Sequence, residues 1–345
     1  MSTVGLIVNP IAGKDIRRLV TSASHTSDGT KIGIVRRAVV AAVESGASRV
    51  VVAQDPHQLA RRAVDGLDLP VVFLDEPVEG TRRDTIAAAT RMWKENVGAL
   101  VVLGGDGTCR DVASGWPDAP LIPLSTGTNN IYPSTIDATS AGCAAGFVAS
   151  GAISFEAVAR RSKRVAVHVE FESGSIDDLA LVDLAMINTA FVGSRAVLDP
   201  CTVTAVVASI ASPSGTGLSS IAGRLHPVDR WAPGGVVVRL GPGGRRLRVP
   251  LAPGTFTTVE VTEVTPLADG ERVVLAGPGV LAFDGERDLR IGGECEVSVA
   301  VEQRGPFVID VDAALLAASR RGLFDVPAHT RAHALAMMME ESDGH

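Results

Sequence analysis

The chain has 345 residues, 46% of them hydrophobic and only 4% aromatic, with a formal net charge of −7. That length suggests about two domains, with cores built mostly from Val, Ala, Leu and Ile. An acidic chain whose basic residues come only in short pairs, such as Arg36-Arg37 and Arg61-Arg62, gains no counterion-release drive toward nucleic acid. No apolar run reaches the roughly 18 residues of a membrane span, so neither nucleic acid nor membrane is an expected partner.

The four cysteines, Cys109, Cys143, Cys201 and Cys295, form no C-x-x-C pair, which removes support for a zinc knuckle or a redox motif. Reduced thiols in a cytoplasmic protein are expected. No charged segment followed by a long apolar stretch opens the chain, so no signal peptide is expected.

The first 130 residues alternate between apolar strands and amphipathic helices. Val4 to Val8 reads as a strand. Lys31 to Glu44 reads as a helix with Ile32, Val35, Val39 and Val43 on one face. Then come a strand over Arg49 to Ala53, a short helix over His57 to Val64, and a strand over Val71 to Leu74. Thr81 to Asn96 is predicted helical, Ala99 to Leu103 a fourth strand and Leu121 to Leu124 a fifth. Continuous apolar strands between helices predict a parallel sheet covered on both faces. Ligands collect beyond the carboxyl ends of such strands, an edge that should carry Asn9, Asp55, Asp75, Gly104 and Ser125.

After a helix over Ala138 to Ser150, the pattern changes to short alternating segments separated by Gly, Pro and Asp. Val165 to Val169, Ala180 to Ile187, Val203 to Ile210, Val236 to Leu240, Leu247 to Leu251, Thr257 to Val261, Arg272 to Leu275 and Glu296 to Val301 read as strands of a sandwich or closed sheet. The expected fold is an α/β N-terminal domain with a parallel sheet over 1–155, plus an all-β C-terminal sandwich domain over 156–312. In 313–345, a helix over Ala313 to Arg320 is expected to return to the first domain, and Met337 to His345 to form a mobile tail.

Gly104-Gly105-Asp106-Gly107-Thr108 is the sharpest motif. It lies where the fourth strand stops. Glycines let the backbone approach a bulky anionic ligand, and a helix start beside them is an anion site. Asp106 repels phosphate and suits a hydroxyl, a metal ion or a water. Thr108 with Asp111 fits a capping box. A second loop, Ser125-Thr126-Gly127-Thr128-Asn129-Asn130, offers hydroxyls and amides suited to nucleotides; the same residue types also make ordinary turns.

Asn9-Pro10-Ile11-Ala12-Gly13-Lys14 follows the first strand, with Lys14 able to meet a phosphate. Ser212 to Ser220, containing Ser214, Gly215 and Thr216, offers small donors or is a linker. Asp284-Gly285-Glu286 is equally a hairpin turn and a source of catalytic carboxylates. Asp183 and Asn188 flank an apolar strand, where Asn188 could bond a base or be a satisfied amide. The first strand turn lacks G-x-G-x-x-G, and no zincin, serine-hydrolase or P-loop motif occurs.

In this order the motifs resemble the NAD kinase and diacylglycerol kinase superfamily over nearly the whole chain. N-P-x-x-G and Thr128-Asn129-Asn130 are nearer its lipid-kinase branch. Asn9 to Leu19 together with Pro123 to Asn130 look like the acetoin-catabolism protein X group, which is NAD-kinase-like. The resemblance implies an ATP-dependent kinase that phosphorylates a hydroxyl of NAD or a small metabolite at an interdomain cleft. It implies Asp106 as the group that orients or deprotonates that hydroxyl and helps hold Mg²⁺. Nucleotide contacts are implied for Asn9, Lys14, Gly104, Gly105, Gly107, Thr108, Thr128, Asn129, Asn130, Asn188, Ser214, Gly215 and Thr216. Where NAD kinases carry an Asn-Glu pair, the matching place is Asn188-Thr189, so the acceptor stays open. A non-catalytic nucleotide-binding relative and a small-alcohol or lipid kinase remain as alternatives. The expected partners are a nucleotide, a small-molecule substrate and further copies of the chain in a dimer or tetramer.

Overall fold

A computed structural model of the chain describes residues 2–12, 26–126, 130–189, 202–293 and 295–325. Apolar runs form β1 (Thr3–Val8), β2 (Arg49–Val52), β3 (Val71–Phe73), β4 (Ala99–Gly104) and β5 (Pro120–Ser125). They pair in parallel in the order β3-β2-β1-β4-β5. Strand order reverses between β1 and β4, so the crevice for a ligand opens where Asn9 and Gly104 end these two strands.

The helices of this half are α1 (Asp28–Glu44), α2 (Leu59–Val64), α3 (Arg82–Lys94), α4 (Asp106–Gly115), α5 (Ala138–Ala149) and the short α6 (Phe155–Val158). One face of the sheet packs on Val35, Val39, Leu59, Ala141 and Ala145, the other on Ala89, Met92, Cys109 and Val112. Helix α1 begins three residues before the predicted Lys31 because Ser27 caps it, accepting from Thr30 N at 3.1 Å. Asp55 is a cap as well: its carboxylate accepts from His57, Leu59 and Ala60 N, so it braces the start of α2.

The second half contains β6 (Ala159–Arg161), β7 (Arg164–Phe171), β8 (Gly174–Ala180), β9 (Asp183–Ile187), β10 (Val203–Ala208), α7 (Ser219–Gly223), β11 (Gly235–Ala252), β12 (Thr255–Leu267), β13 (Arg272–Ala276), β14 (Gly279–Phe283), β15 (Glu286–Ile291), β16 (Glu296–Glu302), β17 (Phe307–Ile309) and α8 (Val311–Arg320). Two antiparallel sheets, β13-β16-β7-β8 and β12-β11-β10-β9-β14-β15, face each other across Val165, Val167, Val299, Leu184, Met186, Val207 and Leu281. The architecture is therefore an α/β domain joined to an all-β sandwich. Strands β6 and β17 lie within 156–312 yet pair into the first sheet, β17 running parallel to β5 and antiparallel to β6. Helix α8 buries Ala314 and Ala318 in the first domain's core. Among the described residues no helix is long and apolar enough to cross a membrane.

Two predicted strands are drawn differently. Ala180 to Ile187 is not one strand: the chain leaves β8 at Ala180 and re-enters a ladder at Asp183. The amides of Leu181 and Val182 instead donate to the Asp284 carboxylate at 3.1 and 2.8 Å. Conversely, Val236 to Leu240 and Leu247 to Leu251 are one strand, β11, whose partner register repeats Val261 at Leu240 and at Arg245. The bulge needs glycine, since a Cβ on Gly244 would come within 2.5 Å of the Val261 backbone.

Candidate functional site

Gly104 sets the geometry of the strand-to-helix turn. A Cβ there would sit 2.5 Å from the Thr108 side chain, so only glycine lets α4 start immediately above β4. Gly105 is the N-cap of α4 and Asp106 opens its first turn. Thr108 is thus inside the helix and does not cap it. Its hydroxyl accepts from Asn9 Nδ2 at 2.9 Å, and Asp111 pairs with Arg82 at 3.0 Å. The first bond of the helix runs from Cys109 N to Gly105 O, leaving earlier N–H groups for an anion. Among the described residues a Cβ on Gly107 would meet nothing within 4 Å, so the first turn of α4 is open on that side.

Asn9 braces its own loop, accepting from Ile11 N at 3.0 Å and Ala12 N at 3.1 Å. Behind it the fully buried Lys31 donates to the carbonyls of Pro10 and Ala12 at 2.5 and 2.7 Å. Asn130 closes the other side, donating to Ser125 Oγ at 2.9 Å and lying against Gly105. Gly215 of the serine-rich loop sits near Ile131, whose Cδ1 would be 3.6 Å from an added Cβ. Ser214 bonds Ser212 through their hydroxyls at 2.8 Å, and Thr216 follows Gly215 in this loop. Lys14, Thr128 and Asn129 lie outside the described residues, as do Cys201 and the tail from Met337 to His345.

Asp106 is held by main chain. Its Oδ1 accepts from Ile131 N at 3.0 Å and Tyr132 N at 2.8 Å, and Oδ2 accepts from Ile131 N at 3.3 Å. Although part of the residue reaches the surface, its carboxyl lies in a desolvated setting. Burial first, and the charge of Asp284 second, push it up to about 7.

Asp284 comes from the D-G turn between β14 and β15, where Asp284 and Gly285 both have positive φ, 49° and 80°, as a tight hairpin turn requires. Its side chain points back into the protein and accepts from Leu181, Val182 and Asp183 N. Burial raises its pKa, opposed by Arg110 and these amides. Asp183 is the third member. It is 4% exposed, and its Oδ2 accepts from Ser219 N at 2.9 Å. Its Oδ1 is buried without a hydrogen-bond partner. Burial, then Asp284 and Asp106, push it up to about 7.

The structure thus brings Asp183, not Asn188, beside Asp284 and within electrostatic reach of Asp106. Asn188 is exposed at the opposite end of β9, about 16 Å along the strand at its usual rise, so it is not a neighbour of Asp106. A carboxylate inside the apolar run Leu181-Val182-Asp183-Leu184 was the available signal.

Two arginines complete the site. Arg110, one turn after Asp106, donates to Asp178 at 2.7 Å, to Asp288 at 3.0 Å and to the Leu179 carbonyl at 2.7 Å. It also stacks on Phe283, 4.2 Å from the ring centroid, fixing α4 to both β sheets. Arg230 reaches across from the loop before β11 and donates to the Ile131 carbonyl.

These features define a two-domain, NAD kinase-like protein. Residues 4–150 match the family described as the ATP-NAD kinase N-terminal domain. Yeast NADH kinase complexed with NADH superposes at a TM-score of 0.52 and 16% identity, over 92% of this chain and 86% of that one. Residues 163–304 match the acetoin catabolism protein X C-terminal domain. Acetoin catabolism protein X of Cupriavidus necator is 38% identical over 334 residues, 93% of each chain, and the chain belongs to this family. An uncharacterised protein of Archaeoglobus fulgidus is 30% identical over 130 residues, 38% of this chain and 36% of its own.

Proposed function

We propose that the chain is an ATP-dependent kinase that phosphorylates an alcohol hydroxyl of NAD or a related small metabolite in the cleft between its domains. The observation that carries this reading is Asp106 at the open start of α4, raised to about 7 by burial and by Asp284. A base near neutrality is matched to taking a proton at physiological pH. In the reaction the acceptor oxygen bonds the γ-phosphorus and the bond to the β,γ-bridging oxygen breaks. ADP leaves, and the hydroxyl proton passes to Asp106. The amides around Gly107 and the Asn9 loop cradle the phosphates, and transfer then depends on positioning and charge neutralisation.

Among the described residues no group of three ligating side chains gathers that could hold a metal ion. Mg²⁺ carried on nucleotide phosphates asks for only one or two carboxylate contacts from the protein. Asp106 Oδ2, with its single long N–H bond of 3.3 Å, is the residue atom for it. When bound, the ion would supply neutralisation of phosphate charge.

The test is to incubate the full chain with ATP, Mg²⁺ and NAD, and to assay NADP. A panel of small alcohols is run in parallel. Product from wild type and a loss of at least about a thousandfold in Asp106→Asn are expected; no product from any acceptor sinks the reading. One observation favours a second reading, a nucleotide-binding regulator without turnover. Asp106 already accepts main-chain N–H bonds on both oxygens, so its first duty is to hold a loop. Tight ATP or NAD binding with no transfer decides for that reading.

A further inference from the structure

Arg230 is an unusual cation for its position. It is half-buried, yet it makes no ion pair with a carboxylate among the described residues. One Nη2 donates to the Ile131 carbonyl. The guanidinium lies 5.1 Å from the Tyr132 ring centroid and 5.9 Å from that of Trp231. No described residue accepts from its remaining N–H groups. Its charge nevertheless acts on Asp106, lowering that pKa against burial.

The loop that presents Arg230 is fixed on both sides. Val228 pairs with Ala211 through N–H bonds of 2.8 and 3.0 Å. The buried Lys163 donates to the carbonyls of Asp229 at 2.8 Å and Gly234 at 3.0 Å. Stacked, anchored and with donors to spare, the guanidinium is pre-organised for an anionic oxygen that no described residue provides. Arginine's planar fork matches phosphate oxygens.

We propose that Arg230 reaches from the β-rich domain to bind the terminal phosphate of the donor nucleotide, so that the site is complete only when both domains contribute. This rests on the kinase reading and names one residue of its donor pocket. In that role Arg230 neutralises charge on the transferring group without taking part in the proton transfer.

The test is calorimetric titration of the full-length chain with ATP, ADP, AMP and NAD, each with Mg²⁺. Wild type is expected to bind ATP more tightly than AMP. Arg230→Gln should lose about tenfold or more in ATP affinity, the loss of one charge-assisted hydrogen bond, with AMP and NAD unchanged. Arg230→Lys, which keeps the charge and the reach to Ile131, should recover part of the loss, and it reports the same selectivity should the Gln variant fold poorly. ATP affinity unchanged in both variants overturns the assignment. Equal losses for ATP and AMP overturn it in favour of a structural role, and a loss for NAD as large as for ATP overturns it by moving the contact to the acceptor's pyrophosphate. A wild type that binds ADP and AMP but gains nothing from the third phosphate overturns the Arg230 assignment alone. A wild type that binds no nucleotide overturns the kinase reading along with it.

Discussion

Asp106 and Arg230 hold the same residue from opposite sides without touching each other. Asp106 takes the N–H of Ile131 and Arg230 takes its carbonyl. One residue comes from the parallel-sheet domain and the other from the β-rich domain, so the loop after β5 is strung between the two halves.

Removing the Asp106 side chain should therefore do two separable things. Asp106→Ala leaves the Ile131 and Tyr132 amides unpaired and should cost about 1–3 kcal/mol of unfolding free energy. Asp106→Asn keeps an acceptor oxygen and should stay within about 1 kcal/mol of wild type. Urea denaturation of both variants checks this; equal losses would show that the carboxylate does not hold the loop.

Gly104 and Gly107 belong to one motif but should behave oppositely. Gly104→Ala drives a methyl to 2.5 Å from the Thr108 side chain and should destabilise by about 1–3 kcal/mol. Gly107→Ala adds its methyl in open space within the first turn of α4. There alanine favours the helix by up to about 1 kcal/mol. If that space belongs to a ligand, Gly107→Ala melts no lower than wild type yet weakens nucleotide binding, a combination read by thermal shift with and without ATP.

Much of this was written in the local sequence. Continuous apolar runs such as Val101-Val102-Leu103 specify buried parallel strands, and Asp284-Gly285 specifies a tight turn. What local pattern could not show is that the turn's carboxylate captures Leu181 and Val182, about a hundred residues earlier in the chain. That capture splits the apolar run from Ala180 to Ile187 and sets Asp183 beside Asp284. The resemblance points to Asn188, where NAD kinases carry an Asn-Glu pair, yet Asn188 follows the far end of β9 from Asp183. Which end of β9 faces the cleft is decided by sheet packing alone.

Asp183 predicts a pH signature. Burial raises its pKa from the ordinary 3.8 to about 7, so the folded state binds this proton more tightly than the unfolded chain. The associated stability is present below pH about 4 and is lost as pH rises through about 7. Asp183→Asn has no such loss, so its stability relative to wild type should grow by on the order of 3 kcal/mol between pH 4 and pH 8. Denaturation midpoints at the two pH values measure it, and a pH-independent difference rules the shift out.

The last prediction separates two arginines of one interdomain network. Arg110 has a side chain only 5% exposed, contacting Asp178 and Asp288, and it also bonds the Leu179 carbonyl and stacks on Phe283. Arg82, 30% exposed, meets Asp111 and Asp288 at 3.0 and 2.8 Å. Removing one partner of a buried ionic cluster strands the others, whereas water reaches and screens the partly exposed Arg82 more than the buried Arg110. Arg110→Ala should thus cost about 3 kcal/mol or more, and Arg82→Ala under about 1 kcal/mol. Because Arg110 also opposes the rise of the Asp284 pKa, its loss should keep Asp284 neutral to higher pH, relieve its push on Asp106 and shift an acid limb set by Asp106 downward, which Arg82→Ala should not. Denaturant titration and a pH–rate profile of the two variants test both halves, and matching behaviour would show that the network acts by bulk charge and not through the buried position of Arg110.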